Sequence, residues 1–453
     1  MNRAAPPGAP PPQLPPGLDP GLLPPLAPVG KIESPWLTER GREIAGQVRE
    51  LHPLIREDAA EGERIADLTP RVLEALDAAG IYKMTWPVEW GGDALGARDV
   101  MEVVSALGEA DGSAGWAAFV GVGLKNLLGL EEQAIEEVRT DTKDWVGPAV
   151  VGASVFATNV GRGRKVDGGW QVTGRWAFGS GCKHAKWALV GVEYDPSMHP
   201  GTGRGVVLLQ RSQYEIVDDW NVMGLSGTAS NSLRAAEETF VPEHRFLDLA
   251  EYPLRFQRLY EKYSGLGYQQ RGTALLIAVS VADAAIALGM ARGALKEFGL
   301  QAAKRKPFSL PYPTVADMAS AQVAAGKALA MANVASETIE SIANQVDART
   351  TAGLDFTQEE ESEISLNIAW VIGMCEEAIN LLQKTLGSST VVLSNPIQRF
   401  VRDVRVLSSH GAIRVDPQAE QNGRRVVGLE PFPMFGGAVP ERRVEPHKEG
   451  PRP

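Results

Sequence analysis

The sequence predicts an α+β protein that is mostly α: helices first, then a small β domain, then a long helical bundle. Three observations predict it. Apolar residues recur at helical spacing between about residues 35 and 147. Short β-like runs divided by Gly-rich turns occupy 148–248, and helical spacing then returns from Gln269 onward. At 453 residues the chain exceeds what one hydrophobic core organises, so several folded parts are expected. The expected boundaries are a Pro-rich tail over 1–34, an N-terminal helical domain over 35–147 and a central β domain over 148–248. A C-terminal bundle over 249–430 and a tail over 431–453 complete the chain.

Each part has a local reason. Eleven of the first thirty residues are proline, and Leu22, Leu23 and Leu26 are broken up by Pro24 and Pro25. No unbroken apolar segment follows a positive start, so this is read as a disordered or polyproline-like tail rather than a signal peptide. Thr69-Pro70 supplies an N-cap and first turn, Leu68, Val72, Leu73 and Leu76 one apolar face, and Gly80 the stop. Val100–Leu107 and Trp116–Leu130 read as apolar helices split by Asp111-Gly112. Trp170–Thr173, Trp187–Val192 and Val206–Leu209 read as strands, with Asp167-Gly168-Gly169 a turn. The apolar stretch at 274–291 carries Asp283 at its centre, which favours a buried bundle helix over a membrane span. Thr357 and Glu360 form a capping box.

Composition removes whole classes of function. A net charge of −11 argues against nucleic-acid binding, which needs a positive surface to displace counterions. Two distant cysteines, Cys182 and Cys375, cannot build a disulfide framework, and no two of the six histidines show H-x-x-x-H spacing. The expectation is a soluble cytoplasmic protein without a metal centre or a membrane partner.

Four motifs in order then carry a resemblance. Pro87–Gly92 reads P-x-E-x-G-G. Gly224–Asn231 reads G-L-S-G-T-A-S-N, with Phe240-Val-Pro242 after it, and Asn395–Asp403 contains P-x-x-R-x-x-R-D. Together they resemble the acyl-CoA dehydrogenase superfamily over roughly residues 35–430, with Ser226 where arginine is usual. That resemblance implies an N-terminal helical domain, a central small β-barrel and a C-terminal bundle. Two further details choose the branch. Gly174–Trp187 reads G-x-W-x-F-x-S-G-x-x-H-A-x-W, and Arg402–His410 reads R-D-x-x-x-x-x-x-H. Both are similar to the two-component flavin monooxygenases of this fold, among them 4-hydroxyphenylacetate hydroxylase oxygenases, dibenzothiophene monooxygenase and amino-sugar N-oxygenases. The stretch Leu407–Ala412 holds no glutamate where dehydrogenases of the family keep their base.

The resemblance implies a chemistry. Free reduced flavin, FADH2 or FMNH2, would arrive from a separate NAD(P)H:flavin reductase and form a C4a-hydroperoxide with O2 as co-substrate. The pocket must then bind the flavin edge, exclude water and control one proton until oxygen is transferred. Ser180 is the candidate facing flavin N5 and O4, where its hydroxyl would donate to the ring or the peroxide; a strand-end serine bonding its own backbone is the plainer alternative. Phe178 and Trp176 would wall the isoalloxazine, Trp176 reading equally well as core. His410 is the candidate acid/base, because imidazole titrates near neutrality. His184 is expected to make flavin or loop contacts. Thr228 and Ser230 either line the pocket or serve the turn. Arg305, in Lys304–Phe308, either reaches a neighbouring subunit's flavin phosphates or belongs to an exposed basic cluster, and Arg292 either meets phosphate or makes a surface pair.

Departures refine this. Gly115-Trp116 leads to Leu124, where several relatives carry histidine, and Lys384 with Gly387-Ser388 replaces a Q-x-x-G-G adenine-site segment. No G-x-G-x-x-G follows a strand, so NAD(P)H is not expected to bind. Apolar small-residue helices at 274–295 and 364–386 suggest a homotetramer. Three readings stand: an oxygenase acting on a small, biosynthetic organic molecule, a flavin oxidase or dehydrogenase with an unusual base, and a non-catalytic scaffold.

Overall fold

The computed structural model describes residues 34–121 and 124–432, so the Pro-rich tail and nearly all of the C-terminal tail lie outside the described residues. Among the described residues seven helices come first: α1 (Glu39–Glu50), α2 (His52–Ile65), α3 (Pro70–Ala78), α4 (Ala97–Ala110), α5 (Gly112–Gly121), α6 (Leu124–Leu127) and α7 (Glu132–Asp141). Thr69 caps α3 as its sequence requires, its hydroxyl accepting from Val72 N at 3.4 Å. Leu124 opens α6, and its side chain lies outside the described residues.

Eight strands follow: β1 (Val150–Ala153), β2 (Gly161–Val166), β3 (Gly169–Trp176), β4 (Trp187–Glu193), β5 (Arg204–Gln210), β6 (Glu215–Val217), β7 (Ser232–Pro242) and β8 (Phe246–Asp248). They form one mixed sheet ordered β6-β7-β3-β2-β4-β5-β8, with β1 pairing in parallel with β4. The barrel is therefore an open one, ending at β6 and β8. Alternation along β4 explains its continuous apolar run. Ala188, Val190 and Val192 enter a core with Trp170, Val172, Trp176 and Leu233, while Trp187 and Leu189 pack outward on Leu130, Ala134 and Val138.

Seven more helices of the chain's second half run α8 (Tyr252–Gln257), α9 (Leu259–Lys262), α10 (Leu266–Gln269), α11 (Gly272–Ala302), α12 (Ala319–Thr351), α13 (Gln358–Leu386) and α14 (Pro396–Ser408), before α15 (Val415–Val426). The Thr357–Glu360 capping box opens α13. By length and composition α11 and α13 could each cross a membrane, but α11 is buried along most of its apolar window by its neighbours. Its small residues have a packing reason. A Cβ at Gly289 would lie 2.2 Å from Ser105 O, and one at Gly108 would lie 2.6 Å from Ile286 O. Helices α4 and α11 thus meet backbone to backbone.

Candidate functional site

Two loops of the sheet build one wall of the site. Beyond β3 the chain turns through Phe178, a non-glycine residue at φ 59°, which pushes its ring outward to 69% exposure and edge-on to Trp220 at 6.2 Å. Trp176, two residues earlier, points the other way. It is fully buried, and its Nε1–H donates to Gly191 O at 2.6 Å, so it is a core residue and cannot wall a ligand. The second loop is the G-L-S-G-T-A-S-N segment, a short 3-10 turn over Ser226–Thr228 flanked by Leu225 at φ 53° and Ala229 at φ 49°. Left-handed non-glycine residues cost about 1–3 kcal/mol each and persist only where neighbours over-determine them. Here Asp403 Oδ1 accepts from Leu225 N at 2.6 Å, Gly181 N donates to Thr228 O at 2.8 Å, and Cys182 Sγ donates to Ala229 O at 3.1 Å. A Cβ on Gly224 would lie 2.3 Å from Arg402 O, so the motif's first glycine admits α14 against the loop.

These contacts set a chain of hydrogen bonds whose direction follows by elimination. Thr228 Oγ1 lies 2.8 Å from Leu225 O, a carbonyl that only accepts, so the threonine proton is committed there. Ser230 Oγ, 2.6 Å from Thr228 Oγ1, must therefore donate to it, and Ser180 Oγ, 2.7 Å away, must donate to Ser230. Trp116 Nε1–H then donates to Ser180 Oγ at 3.1 Å. Ser180 is buried, as are Thr228 and Ser230. Its hydroxyl proton is committed inward, and what it has left is an acceptor lone pair. This corrects the expectation that Ser180 stands ready to donate.

The other wall is helical. Trp116 on α5 carries Ser180's donor on one edge and meets the His410 ring at 5.4 Å. His410 follows α14, its N–H bonded to Leu407 O at 3.0 Å. Part of the residue is open to solvent, yet the ring sits in a wall dense enough that burial lowers its pKa below the ordinary imidazole value. The lowering favours the neutral imidazole, the form able to take a proton. Gly293 rests on Phe400, and Gly112 rests on Met290 and Asp403, so α14 and α5 both run antiparallel to α11. Asp283 is 5% exposed and has no partner among the described residues, and burial pushes its pKa up to about 8. Behind this layer Asp403 is fully buried with Oδ2 unpartnered among the described residues. Burial, and then the nearby Asp111 carboxylate, raise its pKa to about 8.

The remaining expected residues lie elsewhere. His184 Nε2 pairs with the Asp67 carboxylate and ties the 180–185 turn to the end of α2, which makes it a loop contact. Arg305 bonds Leu386 O and Ser389 Oγ at the end of α13 and is not brought to the Ser180 cluster of its own chain. Arg292 bonds Ser105 Oγ at 3.2 Å and Ser336 Oγ at 2.8 Å, an inter-helix tie rather than a phosphate contact or a surface pair. Sequence reasoning passed over Trp116 and Asp403, although both sit inside quoted motifs, G-W and R-D. It placed Asp283 only as an argument about membranes.

The arrangement suits a planar heteroaromatic ring. Phe178 and Trp220 offer an exposed aromatic edge, and Ser180 offers one unused acceptor at its border.

Comparison with known proteins bears on the fold and the class of activity. Residues 281–415 match the acyl-CoA dehydrogenase C-terminal domain family. The oxygenase subunit HsaA of a flavin-dependent monooxygenase from Rhodococcus jostii is 29% identical over 366 residues, covering 80% of this chain and 92% of that protein. The oxygenase component of a Rhizobium FADH2-dependent resorcinol hydroxylase is 26% identical, covering 86% and 95%. The crystal structure of 3-HSA hydroxylase from Rhodococcus sp. RHA1 superposes with a TM-score of 0.75 at 27% identity, covering 87% of this chain and 99% of that one. Fold and site define a flavoprotein of acyl-CoA dehydrogenase architecture. Residues 281–415 are thus similar to the acyl-CoA dehydrogenase C-terminal domain, and most of the chain is similar to oxygenase components of two-component flavin-dependent monooxygenases.

Proposed function

We infer that this chain is the oxygenase component of a two-component monooxygenase, receiving reduced flavin from a separate reductase and inserting oxygen from O2 into a small organic substrate. The observation that carries the reading is the position of Trp116, whose indole touches both the imidazole of His410 and the hydroxyl of Ser180. One side chain thus joins a proton-handling group to the flavin-edge residue. Bound reduced flavin supplies the electrons and the ring on which O2 is activated. The chain's own residues would do the rest: Phe178 and Trp220 would hold the ring, Ser180 would accept at its edge, and His410 would take or hold one proton at its imidazole nitrogen.

Finer points belong to the same proposal. Both FMN and FAD are compatible with the eroded segment at Lys384 and Gly387-Ser388. A homotetramer is supported by apolar side chains left open on α12 and α13, among them Val323, Leu329 and Trp370. In such an assembly Arg305 would serve a neighbour's flavin phosphates.

The test is anaerobic reduction of flavin with the protein, followed by mixing with O2 and recording the return of oxidised-flavin absorbance. Reoxidation much slower than that of free flavin, without NADH turnover by the isolated chain, is the expected result. Rapid uncontrolled reoxidation, or bleaching of tightly held flavin by an acyl thioester, would favour the oxidase or dehydrogenase instead.

A further inference from the structure

Ser180 carries one unfilled hydrogen-bonding position, and the chain behind it decides that this position accepts. The decision is not made by Ser180. It originates at Leu225 O, which takes the Thr228 proton, and passes outward through Ser230. Leu225 O is itself fixed, because Asp403 holds the Leu225 N–H and Trp220 Nε1 donates to the same carbonyl at 3.2 Å. Every hydroxyl in the series has spent its single proton on the next group inward, so Ser180 cannot turn outward without stranding Ser230.

The geometry points to Ser230 and Thr228 as positioning residues that set the redox-state preference of the site through Ser180. Isoalloxazine N5 is an unprotonated acceptor in the oxidised ring and an N–H donor in the reduced one. An acceptor-only Ser180 matches the reduced ring and sets lone pair against lone pair in the oxidised ring. This rests on the reading of these loops as a flavin site. It adds that the preference is written one and two residues behind the one that meets the ligand.

The experiment measures dissociation constants of FMN and FAD, oxidised and anaerobically reduced, for wild type, Ser230→Ala, Thr228→Val, Thr228→Ser and Ser180→Ala. Either Ser230→Ala or Thr228→Val frees the Ser180 proton to point outward, directly or by letting Ser230 reverse. Both should tighten oxidised flavin by roughly 3- to 10-fold, the worth of one neutral hydrogen bond, and pull the oxidised-to-reduced ratio toward one. Thr228→Ser should restore the wild-type ratio. Ser180→Ala should also lower the ratio, but by weakening the reduced form. A merely structural role predicts the opposite sign, weaker binding of both forms. Unchanged ratios in Ser230→Ala and Thr228→Val, or parallel weakening in folded protein, overturn the inference while leaving the flavin site standing. If wild type binds neither form, the functional reading itself fails.

Discussion

The two sides of the site are built on opposite principles. On the strand side every hydroxyl proton is spent: Ser180, Ser230, Thr228 and Leu225 O form a directed series, and bonds from Gly179 N to Asn231 O and from Gly181 N to Thr228 O lock the two loops together. On the helix side the groups are open. Among the described residues His410 makes no side-chain hydrogen bond and Asp283 has no partner. Buried polar groups are nearly always satisfied, so the contrast is informative. A wall that meets the same planar cofactor in every turnover gains from being fixed in advance. A wall that must handle a proton needs a group whose valence is not already used.

The largest effect should come from the open wall. His410→Ala should leave the fold and flavin binding nearly intact while product formation falls by roughly 10²–10⁴-fold, the range for losing a positioned acid/base. The reductant consumed should appear as H2O2. Wild-type coupling of oxygen to product in this variant would make His410 structural and erase the distinction between the walls.

Next comes Asp283, whose test is pH. Its carboxyl pKa rises from 3.8 to about 8 on folding because burial penalises the anion. Between those values the folded chain keeps a proton that the unfolded chain has released, so stability falls as pH rises through the window. The slope is at most about 1.4 kcal/mol per pH unit for one proton. Asp283→Asn should remove that part of the slope, gaining on wild type from about pH 4 to 8 and running parallel beyond. Urea midpoints across this range measure it. Parallel curves throughout would mean that Asp283 ionises freely in the folded state.

Asp403 tests the closed wall from behind. Asp403→Leu strands the buried Leu225 N–H, which costs about 1–3 kcal/mol, and loosens the carbonyl that starts the hydroxyl series. Asp403→Asn keeps an acceptor for Leu225 and should be milder. If the two variants unfold at the same urea concentration, the Leu225 contact contributes nothing.

How far could these walls be read in the sequence? The loops could, because their demands are local. Gly224 must admit α14, Thr228 and Ser230 recur at turn spacing, and Thr69 and Thr357 announce their helices. Which atoms those loops bind could not, since Trp116 reaches Ser180 across 64 residues and Asp403 reaches Leu225 across 178. Periodicity says that α5 and α14 have apolar faces. It does not say which polar residue on those faces meets which loop. Asp283 shows the same limit: its burial was legible from the apolar run around it, whereas its lack of a partner among the described residues depends on how the neighbouring helices pack. Trp176 and Phe178 mark a finer one. In a strand that ends at residue 176, alternation fixes where Trp176 points, but the left-handed turn at Phe178 breaks the alternation.

That pair gives the smallest effect and the sharpest separation. The Trp176 indole occupies space left by Gly161 and Gly174, where a Cβ would come within 2.7 Å and 2.6 Å of its ring, and its N–H is bonded to Gly191 O. Trp176→Phe removes the hydrogen bond and leaves a small void, so unfolding should come about 1–2 kcal/mol easier with flavin affinity unchanged in the folded protein. Phe178→Ala should do the reverse. An exposed ring adds little to folding, so stability should move by about 0.5 kcal/mol or less. Flavin affinity should fall roughly tenfold as the aromatic surface that would cover the ring is lost. Each variant is therefore a control for the other, read by urea titration and flavin binding on the same preparations. If Trp176→Phe weakens flavin binding without loss of stability, the boundary between core and site lies one turn of the strand deeper than Phe178. The exposed aromatic at φ 59° would then be a surface residue and no part of the site.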